Sequence, residues 1–155
     1  LEELLDGLVG SDQGFGVLFC DISGFKAIND EHGHSAGDEV LRAVARRIRR
    51  VMRDSDTVAR WGGDEFVVLM PGADTTVLEE TARRIQATCD KYISLDGRGC
   101  PGVRVGVGIA QRQPGDGSCA KDVLDHADLD MYGRRAAAKK TGSRRHKPDT
   151  RPLGR

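Results

Sequence analysis

The sequence predicts an α+β domain with a βαββαβ core, the split βαβ arrangement, in which a central antiparallel-containing sheet carries flanking helices. Three observations lead there. First, DTVAR (56–60) and EFVVLM (65–70) are strand-forming runs joined by a short connection containing Gly62, Gly63 and Asp64, a hairpin signal. Second, the segments before and after this hairpin repeat apolar residues every three or four positions, as amphipathic helices do. Third, GVLFCD (16–21) and VRVGVGIA (103–110) add two more strands, giving the order β-α-β-β-α-β-α with helices packed on one side of the sheet. A length of 155 residues suits one domain with its own core.

Taken in order, GVLFCD is a short apolar run ending in a carboxylate, the pattern of a buried strand with Asp21 at its exit. GFKAIND (24–30) reads as a short helical turn, which EHGHSAGD (31–38) breaks. From Asp38 a long helix is expected, with Val40, Leu41, Val44, Ile48, Val51 and Met52 on one side and Arg42, Arg46, Arg49 and Arg53 largely on the other. PGAD (71–74) ends the second hairpin strand. Thr76 and Glu79 form a capping-box pattern for a helix that turns Leu78, Ala82, Ile85 and Cys89 inward. DGRGCPG (96–102) reads as loop, VRVGVGIA as strand and QRQPGDGS (111–118) as loop. A last helix from Ala120 onward buries Val123, Leu124, Ala127 and Met131.

Composition sets the class. Hydrophobic content of 38% with 31% charged residues describes a soluble globular protein. No apolar run is long enough to cross a bilayer and no secretory signal opens the chain, so a cytoplasmic domain without membrane contact is expected. The chain opens on Leu1 rather than Met, so it is expected to be a piece of a longer protein whose upstream sensory or regulatory domain is missing. Cys20, Cys89, Cys100 and Cys119 are scattered and read as reduced thiols, not as a zinc site or disulfide framework. The formal net charge is zero, yet from Arg134 onward nine Lys or Arg stand against one Asp. This end lacks apolar periodicity, and residues 141–155 read as a basic, solvated, disordered tail rather than a nucleic-acid or membrane arm.

The chemistry concentrates at the hairpin. Glycines and adjacent carboxylates weaken strand pairing and burial, so their placement between two strands asks for a reason. Gly62 and Gly63 carry no side chains, which lets a bulky anionic ligand approach the backbone closely. Asp64 follows at once, a hard oxygen donor suited to Mg²⁺. Asp21 becomes its neighbour if the first strand lies beside the hairpin. Two carboxylates meeting at strand ends suit metal-assisted phosphoryl or nucleotidyl transfer. Taken alone, the hairpin reads equally well as a plain type I′ bend with solvated acids. His32 and His34 sit in a turn with no third ligand in view, so they are not read as a metal pair.

DISGFKAINDEHGHSAGD (21–38), followed by GGDEF at 62–66, resembles the GGDEF family of diguanylate cyclases. The likeness runs from Leu18 to ADLDMY (127–132), and F-K-x-I-N-D, G-H-x-x-G-D and R-x-G-G-D-E-F occur in order. It implies a palm or ferredoxin-like catalytic domain over residues 1–140. It also implies condensation of two GTP into cyclic di-GMP with release of pyrophosphate, each 3′-hydroxyl attacking the other α-phosphate. Because each domain would hold one GTP and the product is two-fold symmetric, a homodimer is implied. The implied metal ligands for Mg²⁺ (or Mn²⁺) are Asp21, the carbonyl of Ile22, and Asp64, with Glu65 beside them as a further catalytic acid. Phe25 and Lys26 match the phosphate-contacting segment, where a helix start turns free N–H groups to an anion.

Asn29 and Asp38 match the guanine-holding pair. Guanine offers N1–H and N2–H donors that a carboxylate accepts, whereas adenine would leave Asp38 unpaired. Turn chemistry and helix N-capping are the competing roles for these two residues. Arg53 and Asp56 form the R-x-x-D of the family's product-binding inhibitory site, with Arg84 aligning with a further arginine of that site. Three departures stand out. Ser23 replaces the second Asp of D-x-D-x-F-K; the opening L-T-x-L-x-N-R is absent, the chain beginning within the helix that follows it; and MYGRRAAAKKTG replaces M-Y-x-A-K-x-x-G-R. Aligned without a gap, Arg135 takes the phosphate-binding Lys position and Lys139 the Arg position; with four residues inserted, Lys139 supplies the Lys instead. A non-catalytic receptor for GTP or cyclic di-GMP is the leading alternative, and a module that only dimerises is the other.

Overall fold

The structure is a computed structural model that describes residues 1–91, 93–95, 98–100 and 102–142. The first half of the chain forms α1 (Glu2–Gly10), β1 (Phe15–Ile22), α2 (Phe25–His32), α3 (His34–Val51) and β2 (Thr57–Arg60). The second half forms β3 (Glu65–Pro71), α4 (Thr75–Cys89), β4 (Ile93–Leu95), β5 (Arg98–Cys100), β6 (Val105–Arg112) and α5 (Ala120–Gly142). The main sheet has the order β2-β3-β1-β6 with every neighbour antiparallel, and β4 and β5 form a separate ribbon. The α+β architecture and its antiparallel sheet are those the sequence predicts.

β1 is central because it has no face to give to water. Leu18, Cys20 and Ile22 point into a layer with Val40, Val44 and Ile48 of α3 and Leu78 and Ile85 of α4. Phe15, Val17 and Phe19 point the other way, against Leu5 of α1 and Val123, Ala127 and Met131 of α5. Helices therefore cover both faces, which corrects the one-sided packing expected from the element order. An uninterrupted apolar run such as FGVLFC is the mark of a strand buried on two sides.

On the α5 face, β6 offers Gly106 and Gly108. A Cβ on Gly108 would fall on the backbone of Ala127 and Met131, and one on Gly106 would strike the guanidinium of Arg135. The two glycines let α5 lie directly on the sheet. At the outer edge of β6, the Ile109 N–H donates to Asp130 Oδ2 at 2.8 Å, so a side chain of α5 satisfies a group that has no strand beyond it.

Four local expectations are corrected. α3 begins at His34, not Asp38; its N-cap is Gly33, at φ 83, so Asp38 lies inside the helix and caps nothing. Gly37, which reads as a helix breaker, is there for contact: a Cβ would collide with Asn29 Oδ1 of α2. α4 is capped by Asp74, whose carboxylate accepts from Val77 N at 2.9 Å, and Thr76–Glu79 makes no capping box. Residues 98–100, read as loop, pair with 93–95. α1 is the opening helix that the family resemblance implies; periodicity did not show it, because only Leu5 of its nine residues is fully buried.

No helix among the described residues is long and apolar enough to cross a membrane. Cys20, Cys89 and Cys119 are free, and burial pushes the Cys89 thiol up to about 11. The basic tail from residue 143, and the side chains of Cys100 and Lys139, lie outside what is described.

Candidate active site

Strand alternation aims the first carboxylate. Cys20 and Ile22 point into the α3–α4 layer, so Asp21 points to the α5 side. Register places Asp21 opposite Glu65 across β1 and β3, and the Ile22 N–H donates to the Asp64 carbonyl at 3.2 Å. Asp21, Ile22 and Asp64 consequently line one cleft of about 1010 Å³. The chain leaves β1 through Gly24, in the left-handed region at φ 75, and Phe25 and Lys26 open α2 on the same cleft. The first turn of a helix carries N–H groups with no partner inside the helix, which suits an anion.

The carboxylates are crowded. Burial, and then the charges of Asp21, Asp64 and Asp128, hold the Glu65 carboxyl above its ordinary range. Two carboxylates and the Ile22 main-chain oxygen are hard donors of the kind Mg²⁺ or Mn²⁺ takes. Among the described residues no three His, Cys, Asp or Glu side chains gather around one point, so the donor set is no larger. Its chemistry fits a cation, because a cationic side chain already rests on Asp21. Arg135 of α5 donates through Nη2 to the Asp21 carboxylate, to the Asp21 carbonyl at 3.2 Å and to Ser23 Oγ at 3.1 Å. Two departures from the family pattern, Ser23 and Arg135, thus meet at one place.

The hairpin tip is not the type I′ bend of the simpler reading, which requires positive φ at both central residues; neither Gly62 nor Gly63 has one. Instead the N–H groups of Trp61 and Gly62 both reach the Glu65 carbonyl, at 2.9 and 3.4 Å. The Arg60 guanidinium holds the carbonyls of Gly62 and Gly63 at 3.1 and 2.7 Å. A Cβ on Gly62 would strike the Glu65 carboxylate, whereas Gly63 faces open space. Neither packing nor backbone conformation demands glycine at 63.

The other expected residues fall outside the cleft. Asn29 lies against Gly37, and the side chain of Asp38, the next residue of α3, is exposed. Asp56 is 3% exposed and turns Oδ2 to the Arg53 N–H at 2.8 Å, while its Oδ1 has no partner among the described residues. The Arg53 side chain is exposed, as is Arg84 on α4. Sequence reading missed Arg134, whose guanidinium takes Glu79 in two bonds of 2.9 and 2.7 Å and Asp130 at 2.5 Å. The two bonds to Glu79 tie α5 to α4 past the edge of β6, while Asp130 lies on α5 itself, and the next residue, Arg135, reaches Asp21. An Arg-Arg pair on a helix was the available signal, but its partners are 55 and 4 positions away and only one of those is local.

An antiparallel sheet whose strand ends carry paired carboxylates beside a glycine hairpin defines a narrow class of domain. Residues 1–145 match the family described as diguanylate cyclase, GGDEF domain, and the chain belongs to that family. It is 40% identical over 136 residues to the bifunctional diguanylate cyclase/cyclic di-GMP phosphodiesterase MucR of Pseudomonas aeruginosa, covering 85% of this chain and 19% of that protein. It is 42% identical over 130 residues to the diguanylate cyclase TpbB of the same organism, covering 83% of this chain and 29% of that one. The chain therefore spans less than a third of these relatives. A crystal structure of the GGDEF domain of TpbB superposes with a TM-score of 0.77 at 38% identity, covering 88% of this chain and 85% of that one. The GGDEF domain of DgcB from Caulobacter crescentus, in complex with c-di-GMP, gives 0.80 at 27% identity, covering 87% and 82%.

Proposed function

We propose that this chain is the catalytic domain of a diguanylate cyclase, residues 1–140, joining two GTP into cyclic di-GMP and pyrophosphate as a homodimer. The observation that carries the reading is the convergence of Asp21, Ile22 and Asp64 in one cleft with Phe25 and Lys26. A divalent ion held by those three oxygens would orient the 3′-oxygen and the α-phosphate and spread the charge that develops between them. The remaining work falls to the chain itself. The N–H groups opening α2 and the Lys26 ammonium hold phosphate oxygens, Arg135 closes the other wall, and Lys139 serves as a further phosphate ligand. Gly63 lets the hairpin backbone approach the nucleotide without a side chain between. Asn29 and Asp38 hold the guanine edge, and Glu65, its carboxyl raised by burial and then by its acidic neighbours, stands beside the reacting oxygens.

Two domains face to face supply the two α-phosphates, so orientation accounts for much of the rate. In the parent protein the domain works in the cytoplasm under an upstream sensory region, and Arg53, Asp56 and Arg84 hold product in an inhibitory site. The test is pyrophosphate release from GTP and Mg²⁺ across a range of protein concentration. A rate rising faster than linearly is expected; saturable GTP binding with no release would leave the receptor reading, which the guanidinium seated on Asp21 favours.

A further inference from the structure

Arg135 is placed with unusual care for a residue near the end of a helix. The bonds from Arg134 to Glu79 of α4 set the azimuth of α5, and the bare Cα of Gly106 gives the Arg135 guanidinium a floor. The side chain then spends a single nitrogen, Nη2, on Asp21 and Ser23, while its Nε is buried with no partner among the described residues. A guanidinium is a planar fork with five donors, and burying an unpaired one is costly. This arrangement neutralises Asp21 without satisfying Arg135. The same carboxylate is asked to hold a metal ion, and one carboxylate oxygen does not serve both partners at full strength.

We propose that Arg135 is a tethered cation that competes with the divalent metal for Asp21, forming a latch between α5 and β1 that metal entry releases. Released, the guanidinium keeps its place over Gly106 and turns its fork to phosphate oxygens of the bound nucleotide, acceptors that Nε lacks on Asp21. Metal and triphosphate therefore bind cooperatively: each removes an obstacle to the other. A guanidinium that served only as a phosphate ligand would leave affinity for the metal alone untouched. The inference rests on the reading of Asp21 as a metal ligand.

Mn²⁺ binding without nucleotide, followed by electron paramagnetic resonance, separates the cases. Arg135→Ala should bind Mn²⁺ about tenfold more tightly than the unaltered chain, the scale of one lost charge-assisted hydrogen bond. Arg135→Gln should do the same if the alanine variant folds poorly. Arg104→Ala removes another cationic side chain lining the cleft, and it should change Mn²⁺ affinity less than about twofold, as expected for a screened charge without contact. Asp21-dependent Mn²⁺ binding that is equal in the Arg135 variants and the unaltered chain would overturn the latch and leave the metal site standing. Equal tightening by Arg104→Ala would reduce it to general charge. Binding that survives Asp21→Asn in every background would instead remove Asp21 from the metal site, and the latch with it.

Discussion

Two arginines lie on the same face of the sheet, at opposite ends of β6, and they are used differently. Arg112, 3% exposed, spends every nitrogen: Nε on the Ser118 carbonyl at 3.1 Å, Nη1 on Gln13 at 3.2 Å and Nη2 on Asp12 Oδ1 at 3.0 Å. Its acidic partners are held below their ordinary range, Asp12 by the Gly115 N–H first and Arg112 next, Asp116 mainly by the Ser118 N–H. Among the described residues Arg135, beside Gly106, bonds through one nitrogen and leaves a buried one without a partner, near a Glu65 raised by burial and then by the carboxylates around it. A saturated guanidinium joins the α1–β1 turn, β6 and the 113–118 loop into a scaffold. An unsaturated one, set over a cleft, has capacity for a further acceptor. The end of the sheet that holds the fold is the satisfied end, and the end proposed for chemistry is the frustrated one.

The contrast can be broken by substitution. Asp64→Asn should lower pyrophosphate release by about a thousandfold or more, the loss of several kcal/mol of charge stabilisation, with the urea midpoint unchanged. Full activity would remove Asp64 from the mechanism and with it the asymmetry between the two ends. Arg112→Met should do the opposite. Urea unfolding should show about 1–2 kcal/mol less stability, because three part-buried hydrogen bonds from one guanidinium are lost to acceptors that water can reach, while turnover per folded molecule stays near normal. A variant as stable as the unaltered chain would show that the saturated end supports nothing.

Gly108→Ala probes the floor beneath α5. The added methyl meets the backbone of Ala127 and Met131, and overpacking of this kind costs about 1–3 kcal/mol. Lifting α5 also displaces Arg135, so turnover should fall along with the melting temperature; a fall in stability alone would mean that α5 adjusts without moving the cleft.

The smallest effect belongs to Glu79. The hydrogen bond from Arg134 is the main cause that holds its carboxyl below the usual 4.5, so the pair stabilises fully above that pH and loses its contribution as pH falls through the lowered native value. Both partners are more than a third exposed, and the contribution is worth no more than about 0.5 kcal/mol. Melting curves of Glu79→Gln should sit slightly below those of the unaltered chain at pH 7 and merge with them under pH 4.5. A gap that widens in acid would reverse the assignment.

Much of this protein is legible from local pattern. The short apolar runs in GVLFCD and EFVVLM, the spacing of Val40, Val44 and Ile48, and the paired Gly62–Gly63 before Asp64 each report on neighbours within one turn or one strand. They were enough for the sheet, for α5 from Ala120, and for the convergence of residues 21 and 64 at the strand ends. Errors arose where a residue type serves two purposes. Gly37 reads as a breaker but makes room for Asn29, and Thr76–Glu79 reads as a cap while Asp74 does the capping and Glu79 reaches Arg134.

By itself, then, the sequence determined the four main strands, the long helices and which carboxylates stand at the strand exits, because periodicity and turn chemistry act over a few residues. Only the tertiary structure decided that helices cover both faces, that Arg112 is saturated, and that Arg135 meets Asp21 across 114 positions of chain. Those outcomes depend on strand register and on how closely α5 settles onto Gly106 and Gly108. Both are set by packing between elements distant in the chain, which no local window of residues contains.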